Sequence, residues 1–316
     1  MTLMVRDEAD IIERQIDFHR AAGVDFFVVT DHESQDGTSE ILERYASEGI
    51  VHRIAVVSPA KRQAEWVTRM ARLAATEFGA DWVINSDADE FWWPLGGDLK
   101  DVLARVPDRY GIVQTFVRAF LPRHGEGDFA ERMIVRFAPA APINSPFSPF
   151  RVNVRLLHRA SPDIVVGRGN ATVDTSFAVL PGWSPVEVLH VPVRSFGQFE
   201  HKFLTHYKAS GARRRGEHVR AYEAAQAGRL DALYDEICID DERLRRGLDE
   251  GSLALDTRLR DAFRVLPAAP PFPERDTAEE AGYAVDDAVL GAGELVRLQR
   301  RVDELTVRLE GISRRP

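Results

Sequence analysis

The chain has 316 residues, 44% of them hydrophobic, and a formal net charge of -9 at pH 7. That length allows one large domain with appendages or two domains, and the acidic balance argues against nucleic acid as the principal partner. Cys238 is the single cysteine and cannot form an internal disulfide, and no apolar run approaches the roughly 20 residues that cross a bilayer. The first residues do not resemble a secretion leader. We therefore expect a cytoplasmic protein without a transmembrane segment, in contact with membranes only peripherally if at all.

The first quarter of the chain alternates short apolar strands with amphipathic helices. Continuous apolar runs predict the strands, and apolar residues at intervals of three and four predict the helices. This alternation is typical of a mostly parallel α/β sheet with helices on both faces and right-handed crossovers. The predicted strands are residues 3–5, 26–30, 50–57 and 82–84, and the predicted helices are residues 11–22, 37–45 and 63–78.

Acidic side chains follow three of these strands: Glu8, Asp31, and the pair Asp87 and Asp89. Ligands bind outside the carboxyl ends of parallel strands, so these side chains are expected to share one edge of the sheet. In an extended backbone Asp87 and Asp89 point to the same side, and clustered carboxylates suit Mg²⁺ or Mn²⁺. Two alternatives stay open. The pair Asp87 and Asp89 could only solvate a strand end, and Glu8 and Asp31 could only cap helices.

The rest of the chain is predicted to extend the sheet and then to become helical. A loop is expected at residues 120–128 and an irregular, proline-rich crossing at residues 138–149. Residues 99–106 are predicted to be helical. The further strands, in a mixed extension of the sheet, are predicted at residues 112–117, 152–157, 164–166 and 186–191.

Several features have two interpretations. Trp92, Trp93 and Trp183 either belong to the core or stack on sugar rings. The run Arg213, Arg214, Arg215 is either a solvated helix end or a contact for phosphate or anionic membrane. An apolar seam over residues 295–312 indicates either a helix docked on its own domain or a dimerisation segment.

Several separated motifs together resemble one family. The opening from Val5 to Asp10, the stretch from Asp31 to Thr38, the acidic motif in residues 84–91 and the late segment from His190 to Lys202 occur in the order found in family 2 glycosyltransferases of the GT-A fold. The chain is most similar to the bacterial branch related to glycosyltransferase family 92. The resemblance extends over residues 2–263. It implies a GT-A domain at 1–194 and a helical extension at 195–266. Beyond it, the proline-rich stretch predicts a linker at 267–274, and the apolar seam predicts a C-terminal helix at 275–316.

The resemblance implies a metal-dependent, inverting glycosyltransferase that uses a nucleoside diphosphate sugar, with a UDP-sugar favoured. The metal, Mn²⁺ or Mg²⁺, would be held by Asp89, by Asp87, which is shared with the ribose, and by His190. Asp31 matches the residue that accepts hydrogen bonds from the base or ribose, and Glu8 belongs to the loop that closes over the nucleotide. The diphosphate contacts are expected from Lys61, Arg194 and Lys202.

An inverting transfer needs a carboxylate that removes a proton from the acceptor. Glu126, Asp128 and Glu131 are the candidates, and the sequence does not rank them. The stretch Gly169, Asn170, Ala171 departs from relatives in which a histidine tends to follow. The acceptor is expected to be a sugar, a lipid-linked molecule or a small molecule. The alternative functions are a nucleotidyltransferase and a non-catalytic carbohydrate-binding or scaffold protein derived from a transferase.

Overall fold

The computed structural model describes residues 1–59, 61–138, 154–180, 183–210 and 217–273. Its strands are β1 (Thr2–Val5), β2 (Phe27–His32), β3 (Val51–Val56), β4 (Trp82–Ser86), β5 (Glu90–Pro94), β6 (Tyr110–Ala119), β7 (Val135–Phe137), β8 (Val154–Arg159), β9 (Val165–Val166), β10 (Val173–Asp174), β11 (Ala178–Val179), β12 (Val186–His190) and β13 (Leu253–Leu255). Its helices are α1 (Ile12–Ala21), α2 (Thr38–Ser47), α3 (Gln63–Thr76), α4 (Leu99–Leu103), α5 (Phe129–Arg132), α6 (Phe196–Ser210), α7 (Glu217–Gln226), α8 (Leu230–Ile237), α9 (Asp241–Asp249) and α10 (Arg258–Val265).

The first four strands form the parallel part of a nine-stranded sheet. The strand order is β3-β2-β1-β4-β8-β6-β12-β5, and β11 pairs with β6 beside this path. Strand β1 pairs in parallel with both β2 and β4, and β2 pairs in parallel with β3. The intervening helices α1, α2 and α3 make the crossovers, so the predicted alternation of strands and helices is confirmed.

Both faces of β2 and β4 are buried, which explains the continuous apolar runs in these two strands, whereas the edge strand β3 is partly exposed. In β2, Phe27 and Val29 face the main core, while Val28 faces a second cluster built with α3. In β4, Ile84 faces the main core and Val83 faces the second cluster. Successive side chains of a strand point to opposite faces, so a strand covered on both sides has no polar face.

The second part of the sheet is mixed. Strand β8 lies antiparallel between β4 and β6, β12 is parallel to β6, and β5 is antiparallel to β12. The predicted strands at 152–157 and 186–191 join the sheet here. A strand is confirmed at Val165–Val166, but its predicted place in the main sheet was wrong, because β9 pairs only with β10. Ile164 and Val166 bury their side chains against α3 instead.

Strand β5 was not predicted, although it carries the two neighbouring tryptophans. Trp92 is fully buried and Trp93 is nearly so, and both belong to the main core. The Trp92 backbone N–H donates to Nε2 of His19 on α1 at 3.0 Å, and burial lowers the pKa of His19 to about 3. Trp183 packs against the same core from a half-buried position. The core interpretation therefore applies to Trp92 and Trp93.

Helices α6, α7 and α8 enclose a small apolar cluster of their own around Phe199 and Tyr234. The segment that follows α10 returns to the main core, where Phe272 lies 5.1 Å from Trp93 between ring centroids. In the described part of the chain, no helix has the length and apolarity needed to span a bilayer. The proline-rich crossing from residue 139 onward, the run Arg213 to Arg215 and the apolar seam lie outside the described residues.

Candidate nucleotide-sugar site

The loops after β1 and β2 are joined at the carboxyl edge of the sheet. Three successive backbone N–H groups of the first loop donate to side chains of the second loop. The acceptors are Ser34 Oγ at 3.0 Å from Asp7 N, Thr38 Oγ1 at 2.9 Å from Glu8 N, and Asp36 Oδ2 at 2.9 Å from Ala9 N. The polar pattern from Asp31 to Thr38 therefore fixes the position of the Glu8 loop.

Arg194 anchors the same loop from the other side. It is only 2% exposed, and its guanidinium donates to Glu8 Oε2 at 2.6 Å and to both Asp10 oxygens at 2.6 and 2.8 Å. Burial raises the pKa of Glu8 to about 7, although the positive charges of Arg194 and Lys202 act in the opposite direction. Within the described residues, Nη1 of Arg194 has no hydrogen-bond partner. This nitrogen is a buried donor beside the loop that Arg194 holds.

Asp89 lies at the centre of a cluster of cationic groups. Its Oδ2 accepts a hydrogen bond from Lys202 Nζ at 2.8 Å, and its Oδ1 is 3.5 Å from His190 Nε2. Asp89 is 4% exposed. Burial acts to raise the pKa of Asp89, but Lys202 and His190 outweigh burial and keep this pKa well below its ordinary value. The carboxylate is therefore held ionised next to two basic side chains.

Asp87 faces different partners from Asp89. Its Oδ1 accepts from Asn170 Nδ2 at 3.4 Å, and its backbone N–H donates to Glu90 Oε2 at 3.3 Å. Glu90 is fully buried and also accepts from Arg155 Nε of β8 at 2.7 Å. Burial raises the pKa of Glu90, while Arg155 lowers it. Glu90 therefore links the turn that contains Asp87 to Arg155 on strand β8.

Asp31 is enclosed by protein groups. It is 1% exposed and accepts from Arg53 Nη2 at 2.7 Å, from Ser39 Oγ at 2.6 Å and from the Ser34 N–H at 3.2 Å. Burial acts to raise its pKa, but these hydrogen bonds outweigh burial and lower it. In this structure the Asp31 carboxylate organises the turn before α2 and binds β3.

Lys61 lies among the same charged groups. Burial lowers the pKa of Lys61, whereas the negative charge of Asp87 raises it. A cavity of about 290 Å³ is lined by Glu8, Asp10, Lys202 and their neighbours on α6. A larger cavity of about 610 Å³ is lined by other residues, among them Phe78, Leu103 and Arg159, and contains none of the predicted site residues.

The three candidate bases differ in their partners. Asp128 accepts from Arg14 Nη1 and Nη2 at 2.7 and 2.6 Å, and it caps α5 through the Ala130 N–H. Glu131 accepts from Arg264 at 2.9 and 2.6 Å. Glu126 is exposed and its carboxylate has no ion-pair partner within the described residues. The guanidinium of Arg132 donates to the Glu126 carbonyl at 3.0 Å and to the Arg194 carbonyl at 3.1 Å, so this loop adjoins the Arg194 anchor.

Four residues of the site were missed by sequence reasoning: Asp10, Glu90, Arg155 and Asn170. A signal existed for Arg155, since a charged residue interrupts the apolar run of β8 beside Leu156 and Leu157. Glu90 lies within the acidic motif at residues 84–91, but the motif alone does not indicate its partner. Asp10 ends the opening motif, and Asn170 lies in the stretch 169–171 that departs from relatives, but neither position indicates which residue it contacts.

A metal ion would need ligands that converge on one point. Among the described residues, no group of three or more His, Cys, Asp and Glu side chains has this arrangement. Asp89 and His190 meet, but Asp87 does not complete a cluster with them. The three predicted ligands therefore do not converge on one point in this structure.

Comparison with known proteins gives the class of the N-terminal part. Residues 2–124 match the model of glycosyltransferase family 92. The resemblance seen in the sequence is confirmed over this segment, which contains the loop of Glu8, the turn of Asp31 and the motif with Asp87 and Asp89. The mixed sheet with flanking helices confirms the predicted α/β class, and the match shows that this segment, less than half of the chain, is similar to glycosyltransferases.

Among solved structures, the chain is similar to TarS of S. aureus. One structure of TarS is 14% identical with a TM-score of 0.32, and the similarity covers 72% of this chain and 42% of that chain. A structure of TarS residues 1–349 in complex with UDP-GlcNAc is 13% identical with a TM-score of 0.35, covering 78% and 72%. The chain thus spans less than half the length of the first of these TarS chains. No curated protein matches the chain.

Proposed function

We propose that the chain is a glycosyltransferase that takes a sugar from a nucleoside diphosphate sugar at the edge formed by the ends of β1, β2, β4 and β12. The observation that carries the proposal is the meeting of Asp89, His190 and Lys202, with Oδ1 to Nε2 at 3.5 Å and Oδ2 to Nζ at 2.8 Å. An ionised carboxylate surrounded by basic side chains at the ligand-binding edge suits a diphosphate and its counter-ion.

The pair Asp89 and His190 fits a divalent cation that binds together with the nucleotide. Mg²⁺ and Mn²⁺ are commonly held by one or two protein side chains plus phosphate oxygens and water, so a pair is sufficient. The donor set of one carboxylate oxygen and one imidazole nitrogen suits Mn²⁺. Such an ion would neutralise charge that develops on the departing diphosphate.

The basic side chains then act on the phosphates directly. Lys202 already approaches the Asp89 carboxylate, and a bound diphosphate would give its ammonium group a second anionic partner. Arg194 keeps an unpartnered Nη1 while its other nitrogens hold Glu8 and Asp10. Lys61 lies near Asp87 and adds a further positive charge at the same edge of the sheet.

Glu126 is the best placed of the candidate bases. Its carboxylate is free of ion pairs in the described part of the chain, whereas Arg14 and Arg264 neutralise Asp128 and Glu131. A base must accept a proton from an acceptor hydroxyl or amine, and a carboxylate held by a guanidinium is a weaker base. The transfer would then be inverting, with Glu126 opposite the leaving group.

Nucleotide titration by calorimetry tests the proposal. UDP and GDP are titrated with Mn²⁺ and with EDTA, and transfer is assayed with the corresponding sugar nucleotides. Asp89→Asn should weaken Mn²⁺-dependent binding at least about tenfold, because it removes the ionised ligand. Asp108→Asn makes the same chemical change at a fully exposed carboxylate whose salt-bridge partner is Arg159, and should have no effect. If neither nucleotide binds the native chain under either condition, the proposal is wrong.

The contact between Lys202 and Asp89 favours a second candidate, a transferase in which the lysine ammonium replaces the metal ion. Nucleotide binding would then be insensitive to EDTA and would be lost in Lys202→Gln. Binding without transfer or hydrolysis would instead favour the non-catalytic carbohydrate-binding protein. Release of pyrophosphate from a nucleoside triphosphate and a sugar phosphate would indicate the nucleotidyltransferase.

A further inference from the structure

Asn170 combines two costly features at one position. It is 1% exposed, its backbone φ is +56°, and it ends a single 3₁₀ turn at Arg168–Asn170. Its side-chain Oδ1 has no hydrogen-bond partner within the described residues. Left-handed backbone is unfavourable for most residues other than glycine, and asparagine tolerates it better than most. A buried amide oxygen without a partner costs about 1–3 kcal/mol.

The chemistry of Asp87 fixes the orientation of the Asn170 amide. Nδ2 lies 3.4 Å from Asp87 Oδ1, and this carboxylate can only accept hydrogen bonds while it is ionised. Reversing the amide would place the carbonyl oxygen against the carboxylate oxygen, which is repulsive. The Asn170 oxygen is therefore the atom left without a partner, and it shares an amide carbon with the nitrogen that contacts Asp87.

Two acceptors thus lie side by side at the ligand-binding edge. The Asp87 carboxylate and the Asn170 carbonyl both need O–H or N–H donors, and neither attracts a phosphate oxygen. The cationic groups Lys202 and Arg194 contact Asp89 and Glu8 instead. Lys61 is the basic side chain near Asp87, so a hydroxyl group bound by Asp87 and Asn170 would adjoin a side chain that can contact phosphate.

We propose that Asn170 Oδ1 accepts a hydrogen bond from a hydroxyl group of the sugar-nucleotide donor that neighbours the hydroxyl bound by Asp87. This inference rests on the proposed function and makes Asn170 a specificity-determining residue. The strained backbone aims the amide, and the unpartnered oxygen selects a ligand that can donate to it. Such a diol belongs either to the ribose or to the transferred sugar, and the two sources can be distinguished.

The test compares matched ligands in the native chain and in Asn170→Gly. Glycine readily adopts the φ of +56°, so this variant removes the amide without straining the turn. UDP and GDP are titrated against their 2′-deoxy forms, and UDP is compared with UDP-GlcNAc and UDP-glucose. We expect the native chain to bind the ribonucleotide about 10-fold or more tightly than the 2′-deoxy form, and Asn170→Gly to lose most of this ratio.

Each outcome has a defined meaning. If the ribose ratio is unchanged but Asn170→Gly loses affinity for the sugar nucleotides relative to UDP, the diol belongs to the transferred sugar, which still supports the proposal. If Asn170→Gly shows the same two affinity ratios as the native chain, the role proposed for Asn170 is wrong while the proposed function stands. If the native chain binds no nucleotide, both fail. Thermal unfolding of Asn170→Gly and Asn170→Ala controls for folding, and the alanine variant should lower the melting temperature more, because only alanine is disfavoured at this φ.

Discussion

The Asp89 carboxylate and the His190 imidazole lie 3.5 Å apart because the register of two antiparallel strands places them there. His190 ends β12 opposite Glu90, the first residue of β5, and the Val191 N–H donates to the Asp89 carbonyl at 2.9 Å. The position of this pair therefore depends on backbone hydrogen bonds in the sheet. The pair is in place before any ligand binds, which reduces the cost of ordering it.

The pair predicts a specific effect of His190→Gln. Because the imidazole would supply one of only two protein ligands, this change should weaken Mn²⁺-dependent nucleotide binding about tenfold. Binding in EDTA should change little. Calorimetry under both conditions measures the difference. His124→Gln alters an exposed histidine in the same chemical way and serves as the control.

Equal losses with and without Mn²⁺ would show that His190 contacts the nucleotide directly rather than through the ion. No loss under either condition would remove His190 from the site.

Arg194→Ala should destabilise the protein strongly. The change leaves Glu8 and Asp10 without their shared guanidinium, and breaking a buried ion pair from one side typically costs about 3–5 kcal/mol. Urea denaturation at pH 7 measures the free energy of unfolding. Arg44→Ala removes an exposed pair with Glu13 and should change the midpoint little. A small effect of Arg194→Ala would show that the Glu8 loop is held mainly by its bonds to Ser34, Asp36 and Thr38.

The raised pKa of Glu8 predicts that the stability of the folded protein depends on pH. Its pKa is raised from 4.5 to about 7, so the folded state holds a proton that the unfolded state releases at lower pH. The stabilisation is complete below pH 4.5 and is lost as the pH rises through 7. Across this window the loss is up to about 3 kcal/mol.

Glu8→Gln cannot ionise and removes this contribution. Urea denaturation at pH 5, 6, 7 and 8 gives the unfolding free energies of the native chain and of Glu8→Gln. As the pH rises, the native chain should lose stability relative to Glu8→Gln. Contributions from all other groups cancel in this difference. Parallel curves for the two proteins would mean that Arg194 keeps Glu8 ionised throughout.

The local pattern of apolar residues was sufficient to predict the parallel part of the sheet. The continuous apolar runs at Phe27 to Val29 and at Trp82 to Ile84 predict strands buried on both faces, and parallel strands necessarily bring the residues after them to one edge. The same pattern could not predict β5, because Trp92 and Trp93 allow stacking on sugar rings as well as a position in the core. Only the register with β12 places them inside.

The sequence by itself determined the α/β class, the edge at which Glu8, Asp31, Asp87 and Asp89 collect, and the resemblance to glycosyltransferases, because these depend on periodicity and on the order of motifs. Tertiary structure decided the partners of each charge. It directs Asp89 to His190 and Lys202, Asp31 to Arg53, and Asp87 to Asn170. Partner choice depends on strand register and on loops that meet from distant parts of the chain, and neither leaves a local signal in the sequence.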